Sequence, residues 1–355
     1  MTKVLVVGSG KIGRRVASNL ATIARHDVTL AGRARPPVLP PGALFVNIDA
    51  SDRAQMAQVA KKFDLIVNAC PHYLNLGIAT VAKDVGAHYF DLSESATATN
   101  AIRELAKGAK TVLMPQCGFA PGFMGVIASH LIKQMDSADT VELRVGCVPQ
   151  VKSNRLGYGK MWSTEGVVHE YMHSCLALEN GRVVELKPLE GLERVVVDGM
   201  EWEAFNTSGC IGSLCETFAG KITNLNFKSM RYPGHCELIR FLVHDLRFSE
   251  REEELVSLLN RALADVYDDL LVIVVAVEGG MKGRRTRKVF SKTYRGTGKE
   301  GETAVEIATA AGICATIDLF LRMGLPQSGF VKQEEANYVE YMKSPFAAPL
   351  AADGR

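Results

Sequence analysis

The sequence predicts an α/β fold in two parts: a parallel-sheet domain with helices on its faces, then an α+β domain. Three observations predict it. Strand-like apolar runs alternate with helix-like runs from residue 1 to about 115, which builds a parallel sheet. From about residue 120 the texture changes to period-two strand patterns with fewer helices. The 355 residues also exceed what one hydrophobic core usually holds.

Val4–Val7 reads as a buried strand running straight into Gly8-x-Gly10-x-x-Gly13. Val16, Ala17 and Leu20 then mark the apolar face of a helix. Strand, glycine turn and helix in that order form the context of a dinucleotide fingerprint, so the first domain is read as a Rossmann unit. Gly8 permits the tight turn, Gly10 lets backbone approach a pyrophosphate, and Gly13 lets helix and strand pack closely. Lys11 and Ile12 complete the loop, and the helix N-terminus offers N–H groups to phosphate.

Further strands are expected at Val28–Ala31, Ala43–Asn47, Leu65–Asn68, His88–Leu92 and Thr111–Met114. Helices are expected at Ala17–Ile23, Gln55–Lys62, Ile78–Val85 and Ala101–Lys107. Helix Gly125–Gln134 leads into strand patterns at Thr140–Val145, Val183–Leu186, Val195–Val197 and Asn224–Met230. Helical sequence follows at Glu250–Asp268, and Leu270–Val277 with Thr286–Thr293 reads as a hairpin. The apolar helix Ala304–Met323 is expected to pack back on the first domain, and the Ala/Pro-rich tail after Ser344 to be loose.

Hydrophobic residues make up 47% of the chain and charged residues 23%, an ordinary globular composition. The net charge of +2 argues against nucleic acid and anionic membranes as partners. The basic run Lys282–Lys288 reads as a solvated hairpin tip. The apolar run Leu270–Val277 is too short to span a bilayer, and the opening strand leaves no room for a signal peptide. Eight cysteines show no C-x-x-C pair and no zinc-like Cys/His spacing, so no metal is expected. They read as reduced thiols in a cytoplasm.

Ligands of such sheets sit at the carboxyl ends of the strands. At the end of the second strand an acidic residue would select NAD, but here the chain reads Leu30-Ala31-Gly32-Arg33-Ala34-Arg35. Arg33 and Arg35 suit a 2′-phosphate instead, which favours NADP and leaves NAD as the alternative. Asp49 either flanks the adenine or caps the helix beginning near Ser51. Asn68, Ala69 and Pro71 follow the fourth strand, beside the expected nicotinamide half, with His72 and Tyr73 close to the reacting centre.

Six phrases carry a resemblance. They are Val67-Asn68-Ala69-Cys70-Pro71-His72-Tyr73-Leu74-Asn75, His88-Tyr89-Phe90-Asp91-Leu92-Ser93-Glu94, Cys117-Gly118-Phe119-Ala120-Pro121-Gly122, Trp162-Ser163-Thr164-Glu165-Gly166, Glu203-Ala204-Phe205-Asn206-Thr207-Ser208-Gly209 and Arg231-Tyr232-Pro233-Gly234-His235. Together they resemble the saccharopine dehydrogenase / lysine 6-dehydrogenase family over nearly the whole chain. The middle phrases lie closer to the lysine 6-dehydrogenase branch, although the Gly32-Arg33 strand end does not favour the NAD that this branch uses. The resemblance implies a Rossmann domain (1–118), an inserted α+β substrate and dimerisation domain (119–302) and C-terminal helices returning to the first domain (303–355). It further implies a homodimer and an NAD(P)-dependent oxidoreductase that acts on a C–N bond of a small amino acid. The expected reaction oxidises L-lysine or L-saccharopine to 2-aminoadipate 6-semialdehyde.

Such chemistry needs a proton acceptor near the nicotinamide, because an aliphatic amine is charged at neutral pH. Asp91, at a strand end, either assists proton transfer or holds the substrate's cationic amine; His72 is the second base candidate, with Tyr73 also near the reacting centre and Cys117 as a wall of the cleft. A substrate carboxylate wants an arginine fork, for which Arg231 is preferred and Arg144 is the alternative. His235 is expected near Arg231. Trp162 and Glu165 would receive the aliphatic stem and the ammonium of the substrate. Two other readings compete: carboxynorspermidine synthase-like reductive condensation of an aldehyde with a polyamine, and a non-catalytic NADP-binding redox sensor.

Overall fold

The computed structural model describes residues 1–351, which form two compact units. One comprises Met1–Val126 with Glu306–Ala351, the other Ile127–Val305. The first unit contains β1 (Lys3–Val7), α1 (Lys11–Thr22), β2 (Asp27–Gly32), β3 (Ala43–Asn47), α2 (Arg53–Ala60), β4 (Leu65–Asn68), α3 (Asn75–Val85), β5 (His88–Asp91), α4 (Ala96–Leu105) and β6 (Val112–Met114). The strands lie in the order β3-β2-β1-β4-β5-β6, all parallel, and Gly329–Phe330 adds a short parallel strand beside β6. Chain direction across the sheet reverses between β1 and β4, the switch point where such sheets bind ligands.

Val4–Val7 is wholly buried because helices cover both faces of the sheet. Leu5, Val7, Ile66, Tyr89 and Leu113 of the strands pack with Met56 and Ala60 of α2 and with Ile78 and Ala82 of α3. Helices of this unit begin earlier than their apolar pattern; α1 starts at Lys11, directly after the glycine turn. α4 starts at Ala96 because the Ser95 hydroxyl accepts from the Ala98 N–H and caps it. α3 starts at Asn75, directly after a short turn over His72–Leu74.

Helix α5 (Phe123–Lys133) leads into the second unit. There follow β7 (Ser137–Pro149), α6 (Thr164–Met172), β8 (Cys175–Glu179), β9 (Arg182–Leu186), β10 (Glu193–Val197), β11 (Met200–Asn206), α7 (Leu214–Phe218), β12 (Asn224–Arg231), α8 (His235–Arg240), α9 (Glu252–Ala262), β13 (Asp269–Met281) and β14 (Arg284–Arg295). Six strands run β10-β11-β12-β7-β13-β14, with β8 pairing to β12 and β9 pairing to β8. β12 and β7 are parallel while the remaining pairs are antiparallel. Trp202 and Tyr232 stack with centroids 6.2 Å apart over Val148, Met230, Leu270 and Val272.

The β13–β14 hairpin turns at Lys282 and Gly283, both with positive φ, as a two-residue connection requires. Its basic run is charge-paired along the sheet. Arg285 meets Asp139 and Glu278, and Arg287 meets Glu142 and Glu278. Asp269 then caps α10 (Ala304–Leu321), accepting from the Ala304 and Val305 N–H groups at 2.6 and 3.0 Å. Helix α10 is long and apolar enough to cross a membrane by length, yet 72% of it is buried within the protein, the pattern of a core helix. The tail is not loose where it is described. Ser344 caps a helical turn over Pro345–Leu350 that buries Phe346, Ala347 and Leu350, while residues 352–355 lie outside the described residues.

Candidate active site

The three glycines of the first turn each answer to a different constraint. Gly8 has φ +114°, and a Cβ there would stand 2.7 Å from the Ala69 carbonyl oxygen, so the ends of β1 and β4 can close together only around glycine. A Cβ on Gly13 would lie 1.8 Å from the Gly8 carbonyl oxygen, which brings α1 tight against the turn. A Cβ on Gly10 would meet nothing within 4 Å. Gly10 also begins α1 without a side-chain cap and with no acid in the first turn. Open space in front of an uncapped helix N-terminus is where a pyrophosphate fits. Lys11 and Ile12 are half-buried in this turn.

At the end of β2 a side chain on Gly32 is excluded by Ser9, whose Oγ would lie 2.5 Å from a Cβ there. The next residues, Arg33 and Arg35, are exposed, and Asn47 donates to the Arg33 carbonyl at 2.8 Å. Arg33 stands close enough to Asp49 and Cys70 to act on both electrostatically. Asp49 is corrected as a helix cap. Its carboxylate accepts from the Ser51 hydroxyl and N–H, which lowers its pKa, while Asp52 caps α2.

Beyond β4, β5 and β6 lies a buried polar network. The Asn68 amide donates to Asn75 Oδ1 at 2.8 Å and to the Tyr89 hydroxyl at 2.9 Å, and Asn68 Oδ1 accepts from the Cys70 N–H. Tyr89 donates to Asp91 at 2.8 Å, and the other Asp91 oxygen accepts from the Ser93 and Gln116 N–H groups at 2.9 Å each. Asp91 has no exposed surface, and burial raises its pKa to about 6 against these donors. These bonds tie the ends of β4, β5 and β6 together around Asp91, which has no face open to solvent. Cys117 is buried, donates to the Met114 carbonyl, and has its thiol pKa pushed far up by burial, so it is an inert wall. Pro71, His72 and Tyr73 are exposed on the following turn, Tyr73 by 71%.

The second unit holds a buried charged cluster. Arg231, at the end of β12, is 3% exposed. Its Nε donates to the Tyr171 hydroxyl at 3.2 Å, and its Nη2 lies 3.5 Å from the Glu170 carboxylate. The guanidinium sits over the Tyr158 ring at 5.3 Å. The Tyr158 hydroxyl is buried without a hydrogen-bond partner. Burial pushes Glu170 up to about 7, with Arg231 opposing. His235 Nδ1 faces the Leu156 carbonyl at 2.9 Å and Nε2 faces the Tyr171 hydroxyl at 2.9 Å, so Nδ1 carries the proton and Nε2 accepts. Burial, with Arg231 beside it, lowers His235 to about 3 and keeps it neutral.

Arg144 is not a second clamp. Glu193 at 2.6 Å, Asn226 at 2.7 Å and the Leu143 carbonyl occupy it. Glu165 is corrected too: it is exposed and accepts from Ser163, the N-cap of α6. Trp162 packs against Gly166, where a Cβ would come within 2.4 Å of its ring. Glu170, Tyr171 and Tyr158 were not anticipated. The signal for the first two is helical spacing, since α6 turns Glu170 inward five residues after the exposed Glu165.

Residues 4–114 match the family model described as saccharopine dehydrogenase NADP binding domain, and residues 118–354 match that described as saccharopine dehydrogenase C-terminal domain. The saccharopine dehydrogenase [NADP(+), L-glutamate-forming] of Schizosaccharomyces pombe is 24% identical over 201 residues, covering 52% of this chain and 44% of that protein. The enzyme of the same name from Saccharomyces cerevisiae is 26% identical over 194 residues, covering 51% of this chain and 43% of that protein. The matched segments thus span less than half the length of these curated relatives. Apo saccharopine dehydrogenase (L-Glu forming) from Saccharomyces cerevisiae has a similar fold, with a TM-score of 0.79, 17% identity and coverage of 97% of this chain and 96% of that one.

Proposed function

The chain belongs to the saccharopine dehydrogenase family, and from that premise we propose that it is an NADP-dependent oxidoreductase acting on a C–N bond of L-saccharopine or L-lysine. The product in both cases is 2-aminoadipate 6-semialdehyde. Saccharopine, water and NADP⁺ give the semialdehyde, L-glutamate, NADPH and a proton; lysine gives ammonia in place of glutamate. The observation that carries the reading is the glycine turn, where Gly10 leaves open space before an uncapped helix N-terminus.

Bound NADP⁺ would supply the hydride acceptor for the carbon that bears the amine. The protein's own residues hold the reactants. Gly8, Gly10, Lys11, Ile12 and Gly13 form the phosphate turn, and exposed Arg33 faces the 2′-phosphate. Asn68 and Ala69, fixed through Tyr89 and Asp91, line the nicotinamide half. Arg231 receives a substrate carboxylate, with the unpartnered Tyr158 hydroxyl as a second donor. Within the second unit, Glu170, with a pKa of about 7 and 3.5 Å from Arg231, is the proton acceptor offered to a substrate that Arg231 holds. The family names and the NADP of the curated relatives support this reading. All eight cysteines are thiols, which supports a reducing compartment such as the cytoplasm.

Co-product analysis tests the substrate. Glutamate equal to the NADPH formed assigns saccharopine, and ammonia equal to it assigns lysine. NADPH formation with neither co-product contradicts the C–N reading.

A further inference from the structure

We propose that His169, His173 and Glu252 form a binding site for one divalent transition-metal ion of the zinc type, which staples α6 to α9. His169 lies in the last turn of α6 and His173 is its C-cap, so spacing of four residues puts both rings on one helix face. The rings stack with centroids 3.8 Å apart. Glu252, in the first turn of α9, brings one carboxylate oxygen 4.0 Å from His169 Nδ1 and the other 3.4 Å from His173 Nε2. One ligand atom from each residue lies within 4.8 Å of the other two, and no other group of three such side chains converges as closely among the described residues.

Tetrahedral zinc, with bonds of about 2.0–2.1 Å, separates its ligand atoms by about 3.3–3.4 Å. The His173–Glu252 edge already has that length. Side-chain rotations of about 1 Å close the others. Two imidazoles and a carboxylate suit zinc and its neighbours, whereas magnesium and calcium prefer oxygen ligands throughout. The three side chains are 30%, 49% and 38% exposed, which leaves a path for an ion and a coordination position for water. The helices are already tied where Thr164 donates to Asn260 at 2.6 Å, so the ligands are held in register before an ion arrives. The sequence expectation of no metal missed this cluster because its third ligand lies 79 residues beyond His173.

The site is structural in kind. It fixes the helix that carries Glu170 and Tyr171, and its existence does not depend on the reaction proposed above.

Calorimetric titration of the chelator-stripped chain with zinc chloride tests it, beside His173→Ala and Glu252→Gln, two substitutions at half-exposed positions, and His169→Asn as a third. The wild type is expected to bind one ion, with each variant weakened by at least about tenfold. Zinc should raise the thermal midpoint of the wild type and not of the variants. A wild type that binds no zinc, variants that bind as it does, or magnesium binding equal to zinc would overturn the proposal.

Discussion

Alanine at Gly10 and at Gly13 should have opposite consequences, because the space around the two residues differs. Gly10 has φ −73° and ψ −175°, ordinary extended backbone, with nothing within 4 Å of a new Cβ. Alanine there loses up to about 1 kcal/mol as a poorer N-cap and regains about 0.4–1 kcal/mol by restricting the unfolded chain. The two nearly cancel, so the thermal midpoint of the free protein should hold. The methyl group instead fills the space reserved for the pyrophosphate, and NADP should bind at least about tenfold more weakly, or about 1.4 kcal/mol. At Gly13 the new Cβ would stand 1.8 Å from the Gly8 carbonyl oxygen. Helix and turn would have to part by roughly 1.5 Å, an overpacking that costs about 1–3 kcal/mol or more. Gly13→Ala should therefore lose stability as well as NADP. Thermal unfolding without cofactor and calorimetric titration with NADP read the two effects separately. Unchanged NADP affinity in Gly10→Ala would refute the cradle, and full stability in Gly13→Ala would refute the packing.

Other consequences concern charge. Asp91 has its pKa raised to about 6 in the folded state, above its unfolded value. Its stabilising contribution is complete below about pH 4 and is lost as pH rises through about 6, a change on the order of 3 kcal/mol. Urea unfolding of wild type against Asp91→Asn should show that difference fall with pH, and a flat difference would contradict it. Glu170, raised to about 7 by burial, should give kcat/KM an acid-limb ionisation near pH 7, with activity lost as pH falls through it, that Glu170→Gln lacks. An identical profile in the variant would exclude it as the proton acceptor. Arg33→Ala should weaken NADP by about tenfold or more while sparing NAD; equal losses would show that Arg33 does not read the 2′-phosphate.

The sheet of the first unit was legible because its strands are short and apolar and most of them are followed by helical periodicity, from Val4–Val7 to Val112–Met114. Helix starts were less so, since α4 is begun by the Ser95 hydroxyl in a polar stretch that shows no apolar face. In the second unit, the parallel pairing of β12 with β7 joins segments far apart in sequence, which local patterning does not reveal. The candidate site was legible at its glycines, whose role is set by backbone shape. Arg231 and Arg144 look alike as strand arginines, and only their neighbours separate a buried guanidinium over aromatic rings from one held by Glu193. Asp91 looked like a reactive carboxylate because its place at a strand end is visible in the sequence, whereas its bond from the Gln116 N–H, 25 residues on, and its full burial come only with the fold.

The most direct test of the central claim is the growth of nicotinamide absorbance when the purified chain meets L-saccharopine or L-lysine, each with NADP and with NAD, at mildly alkaline pH. Reduction of NADP with at least one of the two amino acids, faster than reduction of NAD, is the predicted result. A chain that binds NADP yet reduces it with neither amino acid would contradict the claim.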